Sequence, residues 1–166
     1  MLDKTDLLQM LKSNNIEFSV KEHAPLFTVE NSKSFRGEIK GGHSKNLFLK
    51  DSKNSFYLLS IEENVSLDLK KISEPLNSKK LSFANSEYLK SIMGIEPGSV
   101  SPFALINDQE KKIKFFLDQS LASKDIVNFH PLVNTSTVSI KSNDLIQFIQ
   151  NIHNPVNILN IENYQR

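Results

Sequence analysis

The sequence contains no cysteine, which excludes thiol catalysis, disulfide bonds and cysteine-ligated zinc. It also lacks any apolar run long enough to cross a bilayer. The opening segment MLDKTDLLQMLKSNN interrupts its apolar positions with acids and lysines and has no small-residue cleavage site, so we expect no signal peptide. These absences predict a soluble, cytoplasmic protein without membrane contacts.

An excess of positive charge is also lacking. The chain has 20 lysines and arginines against 19 acids, a net charge of +1, and its arginines are confined to Arg36 and Arg166. Composition therefore gives no argument for nucleic-acid binding, and any polyanion would have to contact a local patch.

The length fits one ordinary domain. A chain of 166 residues with 39% hydrophobic content can bury a core without a metal or a disulfide. No internal repeat, linker or low-complexity tract divides it. We expect a single domain over residues 1–166.

Short helical and strand patterns alternate along the chain. An apolar stripe after Asp3 and Thr5, either of which can cap a helix, predicts an N-terminal helix. Residues 44–50 and 56–61 predict a β-hairpin through the loop DSKNS. Further strands are expected at 16–20, 81–84, 113–117 and 133–140, and helices at 29–35, 67–76, 86–93 and from Ser142 or Asn143. The pattern predicts an α+β domain around a mixed sheet.

The stretch GGHSKNLFLKD, residues 41–51, carries the first candidate site. On a strand, Lys45 shares a face with Leu47 and Leu49, whereas Asn46 shares the other with Phe48. A lysine at the end of an apolar row commonly extends to solvent. The functional alternative is an ammonium that holds a carbonyl or phosphate oxygen. Asn46 is either a strand-edge residue or a ligand group.

The loop from Gly94 to Phe103 is the second candidate, because it contains two glycines and two prolines. Such a loop is commonly a rigid turn. Alternatively, its backbone N–H groups can approach a ligand and stabilise an oxyanion. Ser99 and Ser101 resemble nucleophiles, but neither lies in a nucleophile-elbow pattern, which argues against serine catalysis.

His130, in NFHPLVNT, is the third candidate. The following proline favours an extended backbone at the histidine, which fixes the direction of its ring. The alternative is a purely structural histidine. No HExxH or other metal spacing surrounds any of the four histidines, so we expect no metal site.

Three segments in this order, SKNLFLKD at 44–51, GSVSPFALIND at 98–108 and NFHPLVNT at 128–135, resemble the YbaK-like family of prolyl-tRNA editing proteins. The similarity runs from the first helix to about Ile158 and favours the free-standing branch that acts on Ala-tRNA(Pro). It implies a compact α+β fold with a curved, largely antiparallel mixed sheet surrounded by helices. It also implies hydrolysis of the ester between a wrong amino acid and the 3′ end of proline tRNA, without a cofactor.

The resemblance also implies residue roles. Lys45 matches the family's invariant active-site lysine, and Gly98 and Pro102 match its GxxxP loop, a backbone cradle for the aminoacyl group and terminal ribose. Substrate contacts are expected from Asn46, Ser99, Ser101, Phe103 and His130. An aminoacyl ester is already activated, so the protein need only position a water and stabilise the oxyanion.

The implied partner is the acceptor end of tRNA(Pro) carrying alanine, with prolyl-tRNA synthetase as a further partner. Missing methylenes are worth only about 1 to 3 kcal/mol of discrimination, so a second, smaller pocket must remove alanine. Residues 27–30 and the surroundings of Phe103 are candidates for its wall. Lys50, Lys79 and Lys80 could contact acceptor-stem phosphates or base edges, or simply be solvated.

Two alternatives remain open. A Cys-tRNA(Pro) deacylase shares the lysine and the GxxxP loop, although PGSVSPF and NFHPLVNT favour alanine. A non-catalytic aminoacyl-tRNA or partner-binding module is the other, and the retention of Lys45 with the complete loop argues against it.

Overall fold

The structure, a computed structural model, describes residues 1–25 and 39–166 of the chain. In these residues eight strands form one mixed sheet in the order β1-β7-β6-β2-β3-β5-β8, and β4 pairs with β2. The strands are β1 (Phe18–Glu22), β2 (Gly42–Lys50), β3 (Phe56–Glu62), β4 (Ser82–Phe83), β5 (Ile113–Asp118), β6 (Ile126–Phe129), β7 (Ser136–Lys141) and β8 (Asn157–Leu159).

Helices pack around this sheet. They are α1 (Lys4–Ser13), α2 (Leu69–Ile72), α3 (Ser86–Tyr88) with a π-helical continuation (Leu89–Met93), α4 (Gln119–Ala122), α5 (Ser142–Ile152) and two 3-10 helices (Pro102–Asn107 and Glu162–Tyr164). The predicted α+β fold with a mixed sheet is confirmed. Among the helices in the described ranges, none is both long and apolar enough to cross a membrane.

The predicted hairpin is confirmed. Strands β2 and β3 pair antiparallel from Ser44↔Glu62 to Lys50↔Phe56. The DSKNS loop is held by Asp51, whose carboxylate accepts hydrogen bonds from the amides of Lys53, Ser55 and Lys79. The hydroxyl of Tyr57 also donates to it. One buried carboxylate therefore fixes the turn and attaches residue 79 to it.

In the described residues the predicted helices are present, but some of their capping residues differ from those expected. Asp3, not Thr5, caps α1, in a reciprocal capping box with Asp6. Asn85, not Ser86, caps α3 by accepting from the amide of Tyr88. Ahead of α5, Lys141 occupies the cap position without a side-chain bond. The predicted stop at Gly94 is confirmed, since Gly94 adopts a left-handed φ of 66°.

Several predicted elements differ in extent. The helix expected over 67–76 is α-helical only in α2, and the end of the expected loop, from Pro102 onward, belongs to a 3-10 helix (Pro102–Asn107). The strand expected from 133 begins at Ser136, because a turn with Leu132 at a φ of 67° precedes it. Strands β6 and β8 were not predicted, since each is too short to show a period. The helix expected at 29–35 lies outside the described residues.

Two apolar cores lie on opposite faces of the sheet. The first contains Phe48 and Leu58 together with Phe103 and Phe129. The second contains Leu49, whose β3 neighbours Tyr57 and Leu59 pack beside it, together with residues of α2. Alternation along β2 therefore sends successive side chains into different cores, as the sequence predicts.

The two glycines before Lys45 allow β2 to lie against β6. Gly41 has a φ of +109°, and a Cβ there would come within 2.7 Å of the carbonyl oxygen of Ile126. A Cβ on Gly42 would lie 3.1 Å from the Leu121 side chain. Side chains at these positions would push the start of β2 away from β6.

Candidate active site

Strand β2 is bordered differently along its two sides. On one side β3 pairs with it almost throughout. On the other, β6 pairs with Gly42 and His43, and β4 pairs with Leu49 and Lys50. Among the described residues no strand pairs with positions 45–47 on that second side. We call this gap, residues 45–47 between β6 and β4, the β2 notch; Lys45 and Asn46 lie in it.

Lys45 lies on the face of the second core and is half-buried. Within residues 1–25 and 39–166, its ammonium makes no ion pair and no hydrogen bond. Burial lowers its pKa, the negative charge of Glu62 opposes this change, and the charge of Arg166 lowers the pKa further. Since less water surrounds this ammonium, its field on a bound carbonyl oxygen is stronger than at an exposed lysine.

Asn46 points to the opposite face, toward the first core. Its carboxamide oxygen accepts a hydrogen bond from Ser60 Oγ, and its amide nitrogen lies 3.4 Å from Ser44 Oγ. Ser60 is fully buried. These contacts tie Asn46 to its own strand and to β3, so it fixes the backbone next to Lys45. A substrate contact by Asn46 stays a prediction.

The glycine-proline loop forms a tight turn, one of the two interpretations that the sequence allows. Gly98 adopts a φ of 92°, a conformation that side-chain-bearing residues rarely take. Ser101 is buried, and its hydroxyl accepts from the amide of Phe103 at the start of the 3-10 helix that Pro102 begins. The loop is thus a fixed turn anchored in the core.

Ser99 and Phe103 are buried as well. The ring of Phe103 lies edge-on to Phe129 and Phe148, 6.3 Å from each. Its position in the core therefore has a packing explanation. Within the described parts of the chain, no hydrogen bond joins Lys45 to residues 98–102. Their convergence at one substrate stays a prediction, as do the substrate contacts of Ser99, Ser101 and Phe103.

His130 follows β6, and its ring is fixed. The Nδ1 atom lies 2.8 Å from the carbonyl oxygen of Ser136, and because a carbonyl only accepts, this nitrogen carries the proton. The β2–β6 register pairs Gly42 with Val127 and His43 with Asn128. This pairing ends two residues before Lys45 on β2 and two residues before His130 on the other strand, so a joint contact of the two side chains with one substrate stays a prediction.

A second histidine, which the sequence did not indicate, lies beside His130. The rings of His23 and His130 are 6.1 Å apart. His23 Nδ1 donates to the carbonyl oxygen of Ala24, and Nε2 lies 2.8 Å from Thr137 Oγ1. Pairing of β1 with β7 brings His23 here, and no local pattern in the sequence reveals that pairing.

The profile of the aminoacyl-tRNA editing domain matches residues 23–148, a span that contains Lys45, the glycine-proline loop and both histidines. The chain belongs to this family. The predicted family and the predicted enzyme class, an aminoacyl-tRNA deacylase, are thereby confirmed.

Relatives of this editing domain match over most of their length. The prolyl-tRNA editing protein ProX of Acetoanaerobium sticklandii is 30% identical over 148 residues, which cover 89% of this chain and 90% of that protein. The prolyl-tRNA synthetase associated domain-containing protein 1 of Bos taurus is 33% identical over 162 residues, 94% of each. Prolyl-tRNA editing is therefore supported at the level of the family.

A solved structure described as a candidate trans-editing enzyme for prolyl-tRNA synthetase has the same fold. It superposes with a TM-score of 0.73 at 17% identity, covering 96% of this chain and 97% of its own. The likeness supports the mixed-sheet architecture described above.

The predicted tRNA-binding lysines of the editing domain lie at the far end of β2. Lys50 Nζ is 5.7 Å above the ring of Tyr88 and 3.4 Å from Asn54 Oδ1. Lys80 is exposed in the segment between α2 and β4. Lys50 and Lys45 point to opposite faces, as predicted, and contact of Lys50 and Lys80 with tRNA stays a prediction.

Cavity size alone does not identify this site. A groove of about 840 Å³ lies along β1 and β7, lined by residues such as Phe18, Val20 and Ile140, and contains none of the predicted site residues. Within residues 1–25 and 39–166, no cluster of histidines and acids could hold a metal ion. The pocket-wall candidates at positions 27–30 lie outside the described residues.

Proposed function

We propose that this editing domain hydrolyses Ala-tRNA(Pro) in trans, releasing alanine from tRNA that was charged by mistake. The observation that supports this most is the ammonium of Lys45, half-buried at the β2 notch and without an ion pair in the described ranges. A cation held in this state costs stability, which is expected where it serves a substrate.

For this reaction the protein has to supply only orientation of the ester and stabilisation of the developing charge. A water oxygen attacks the ester carbonyl carbon, the bond to the ribose oxygen breaks, and that oxygen takes up a proton, so alanine and tRNA leave. In our proposal Lys45 orients the aminoacyl group and stabilises the negative charge that develops on the carbonyl oxygen. A ribose hydroxyl of the tRNA positions the water.

The glycine-proline loop completes the proposed site. Backbone N–H groups near Gly98 face the aminoacyl group, and Pro102 sets the geometry of the turn. His130, whose ring is oriented by the contact of Nδ1 with the carbonyl oxygen of Ser136, contacts the substrate in our proposal. Among the described residues no strand pairs with positions 45–47 on one side of β2, and we propose that the loop approaches Lys45 there.

Discrimination against proline is proposed to be steric. Alanine fits a small pocket that excludes the larger pyrrolidine ring, and this reverses the selection of a synthetase pocket shaped for proline. The tRNA partner is tRNA(Pro), and prolyl-tRNA synthetase is a proposed further partner. We place the activity in the cytoplasm as one domain over residues 1–166.

The proposal is tested by measuring deacylation of Ala-tRNA(Pro), Cys-tRNA(Pro) and Pro-tRNA(Pro) by the purified protein. We expect release of alanine and no release of proline. Preferential hydrolysis of Cys-tRNA(Pro) would replace the alanine assignment by the cysteine one. Binding of these tRNAs without hydrolysis of any of them would show a non-catalytic module.

Substitution Lys45→Ala should lower the rate of alanine release by about 100- to 1000-fold, the usual effect of removing one stabilising donor from an oxyanion. The control is Lys112→Ala, which removes an equal charge from an exposed ion pair with Glu110. We expect that control to retain the wild-type rate. An unchanged rate in Lys45→Ala would overturn the role given to this lysine.

A further inference from the structure

Phe83 is unusual among the aromatic residues of the protein. Its side chain is 62% exposed, whereas the other large hydrophobic residues exposed in the described ranges are aliphatic: Met1, Leu2 and Ile158. Phe83 lies in β4, a strand of only two residues. A single exposed apolar residue needs no explanation in itself, so the argument depends on where this ring lies.

The ring lies on the same face of the sheet as Lys45. Phe83 pairs directly with Leu49 across the antiparallel β2–β4 ladder, and directly opposed residues share a face. Leu49 in turn shares its face with Lys45. Four residues of strand span about 13 Å, so Phe83 lies roughly that far from Lys45 along β2. Strand β4 also forms the far border of the β2 notch.

Positive charge accompanies the ring. Lys79 and Lys80 come shortly before β4, and both are exposed. The amide of Lys79 is bonded to Asp51, which fixes this segment against the end of the hairpin. An aromatic ring beside lysines is the combination that proteins use to bind unpaired nucleotides, with bases stacked on the ring and phosphates near the cations.

The separation also fits a nucleic-acid strand. Stacked nucleotides rise about 3.4 Å each, so about 13 Å corresponds to roughly four stacked nucleotides, or fewer if the strand is extended. When the aminoacyl ester lies at Lys45, a nucleotide in the unpaired 3′ end of the same tRNA would therefore lie at Phe83. A paired stem would present phosphates there instead of an open base.

We propose that Phe83 is a stacking platform for a base in the unpaired 3′ end of the substrate tRNA while the aminoacyl ester lies at Lys45. This inference rests on the proposed function and adds a binding residue to it. The ring holds the strand in place, and the chemistry remains at the notch.

The first test compares Phe83→Ala with Phe83→Trp in deacylation of Ala-tRNA(Pro). Loss of one base–aromatic stack should lower kcat/KM by about 5- to 100-fold in Phe83→Ala, through KM more than kcat, whereas Phe83→Trp should keep wild-type kcat/KM. The matched control is Ile158→Ala, which truncates a 48% exposed apolar residue on β8 at the opposite edge of the sheet. It should leave kcat/KM unchanged.

The second test uses fluorescence, because the chain contains no tryptophan and Phe83→Trp therefore carries a single reporter. Titration with an uncharged acceptor-stem minihelix that ends in the unpaired 3′ nucleotides should quench the emission. The same minihelix without those nucleotides should not. Equal quenching by both, or wild-type kcat/KM in Phe83→Ala, would overturn the stacking role.

The outcomes separate the two proposals. If the wild type releases alanine and Phe83→Ala does so equally well, the stacking role fails and the proposed function stands. If the wild type releases no alanine, the proposed function fails, and the minihelix titration still decides whether a base stacks on residue 83.

Discussion

Lys45 and Lys50 lie on the same strand and have opposite surroundings. Lys50 is also half-buried, but its ammonium lies over the Tyr88 ring and near Asn54. Lys45 is half-buried, makes no ion pair within the described ranges, and has a lowered pKa because of its burial. The alternation of residues along the strand does not distinguish the two lysines. The residues that surround each ammonium in the fold do.

The two ends of β2 differ in the same way. The Lys50 end is closed by the hairpin turn, in which Asp51 collects four hydrogen bonds. The Lys45 end has the notch on one side. Hydrogen bonds that hold the fold are thus concentrated at the Lys50 end, whereas the proposed hydrolysis takes place at the Lys45 end, and three substitutions test this comparison.

The largest effect on the free energy of unfolding is expected from Asp51→Ala, at the Lys50 end of β2. Removal of a buried carboxylate leaves its buried donors without partners, which should lower the free energy of unfolding by about 2 to 4 kcal/mol. The control is Asp68→Ala, which removes an exposed cap that also accepts two amides, those of Lys70 and Lys71, at about 1 kcal/mol. Urea unfolding measures both, and equal losses would contradict the comparison.

The same carboxylate predicts a pH dependence. Burial opposes ionisation of Asp51, but bonds from the amides of Ser55, Lys79 and Lys53 outweigh it, so its net pKa lies below the ordinary value. Its contribution to stability is therefore complete above the unfolded pKa of about 3.9 and is lost as the pH falls through the lower folded pKa. The acid sensitivity of unfolding in this range should weaken in Asp51→Ala.

A smaller effect, of opposite sign, is expected from Lys45→Met. Because burial disfavours the charged amine, its replacement by an apolar side chain should raise the free energy of unfolding at neutral pH by about 0.5 to 2 kcal/mol while deacylation is lost. The gain should shrink as the pH rises toward the unfolded lysine pKa of about 10.4, where the wild-type amine is neutral too. Lys50→Met is the matched variant and should show no gain. Destabilisation by Lys45→Met would contradict the comparison.

The smallest effect is expected from Lys50→Ala. If this lysine contacts one phosphate, the slope of log kcat/KM against log salt concentration should decrease by about 1, with kcat at saturating tRNA nearly unchanged. Lys112→Ala serves again as the control, since its charge is already paired on the surface. An unchanged slope would leave Lys50 as a solvated surface residue.

Local signals in the sequence predicted the local parts of the fold. Alternation in residues 44–50, the five-residue loop and the glycine at 94 fixed the hairpin and the end of the π-helical segment. Strands β6 and β8 could not be found, because parallel pairing joins distant segments and leaves no period in so short a run.

For the candidate site, the sequence likewise predicted single residues but not their positions relative to one another. The motifs named Lys45 and His130, but their relative position depends on the pairing of β2 with β6, and the position of His23 depends on β1 joining β7. The sequence argued against Ser99 and Ser101 as nucleophiles only by the missing elbow pattern, and it did not reveal that both serines are buried. Residues 27–30, expected at the pocket wall, stay a prediction.

The pairing of β2 with β6 has a consequence for the kinetics of folding. A hydrogen bond from Asn128 to Gly42 joins residues 86 positions apart, and such contacts form only after the entropy of closing a long loop has been overcome. The hairpin of β2 and β3, by contrast, forms from neighbours in the chain. During refolding, the neighbourhood of Lys45 and His130 is therefore assembled after the secondary structure, and recovery of catalysis would mark the last stage of the folding pathway.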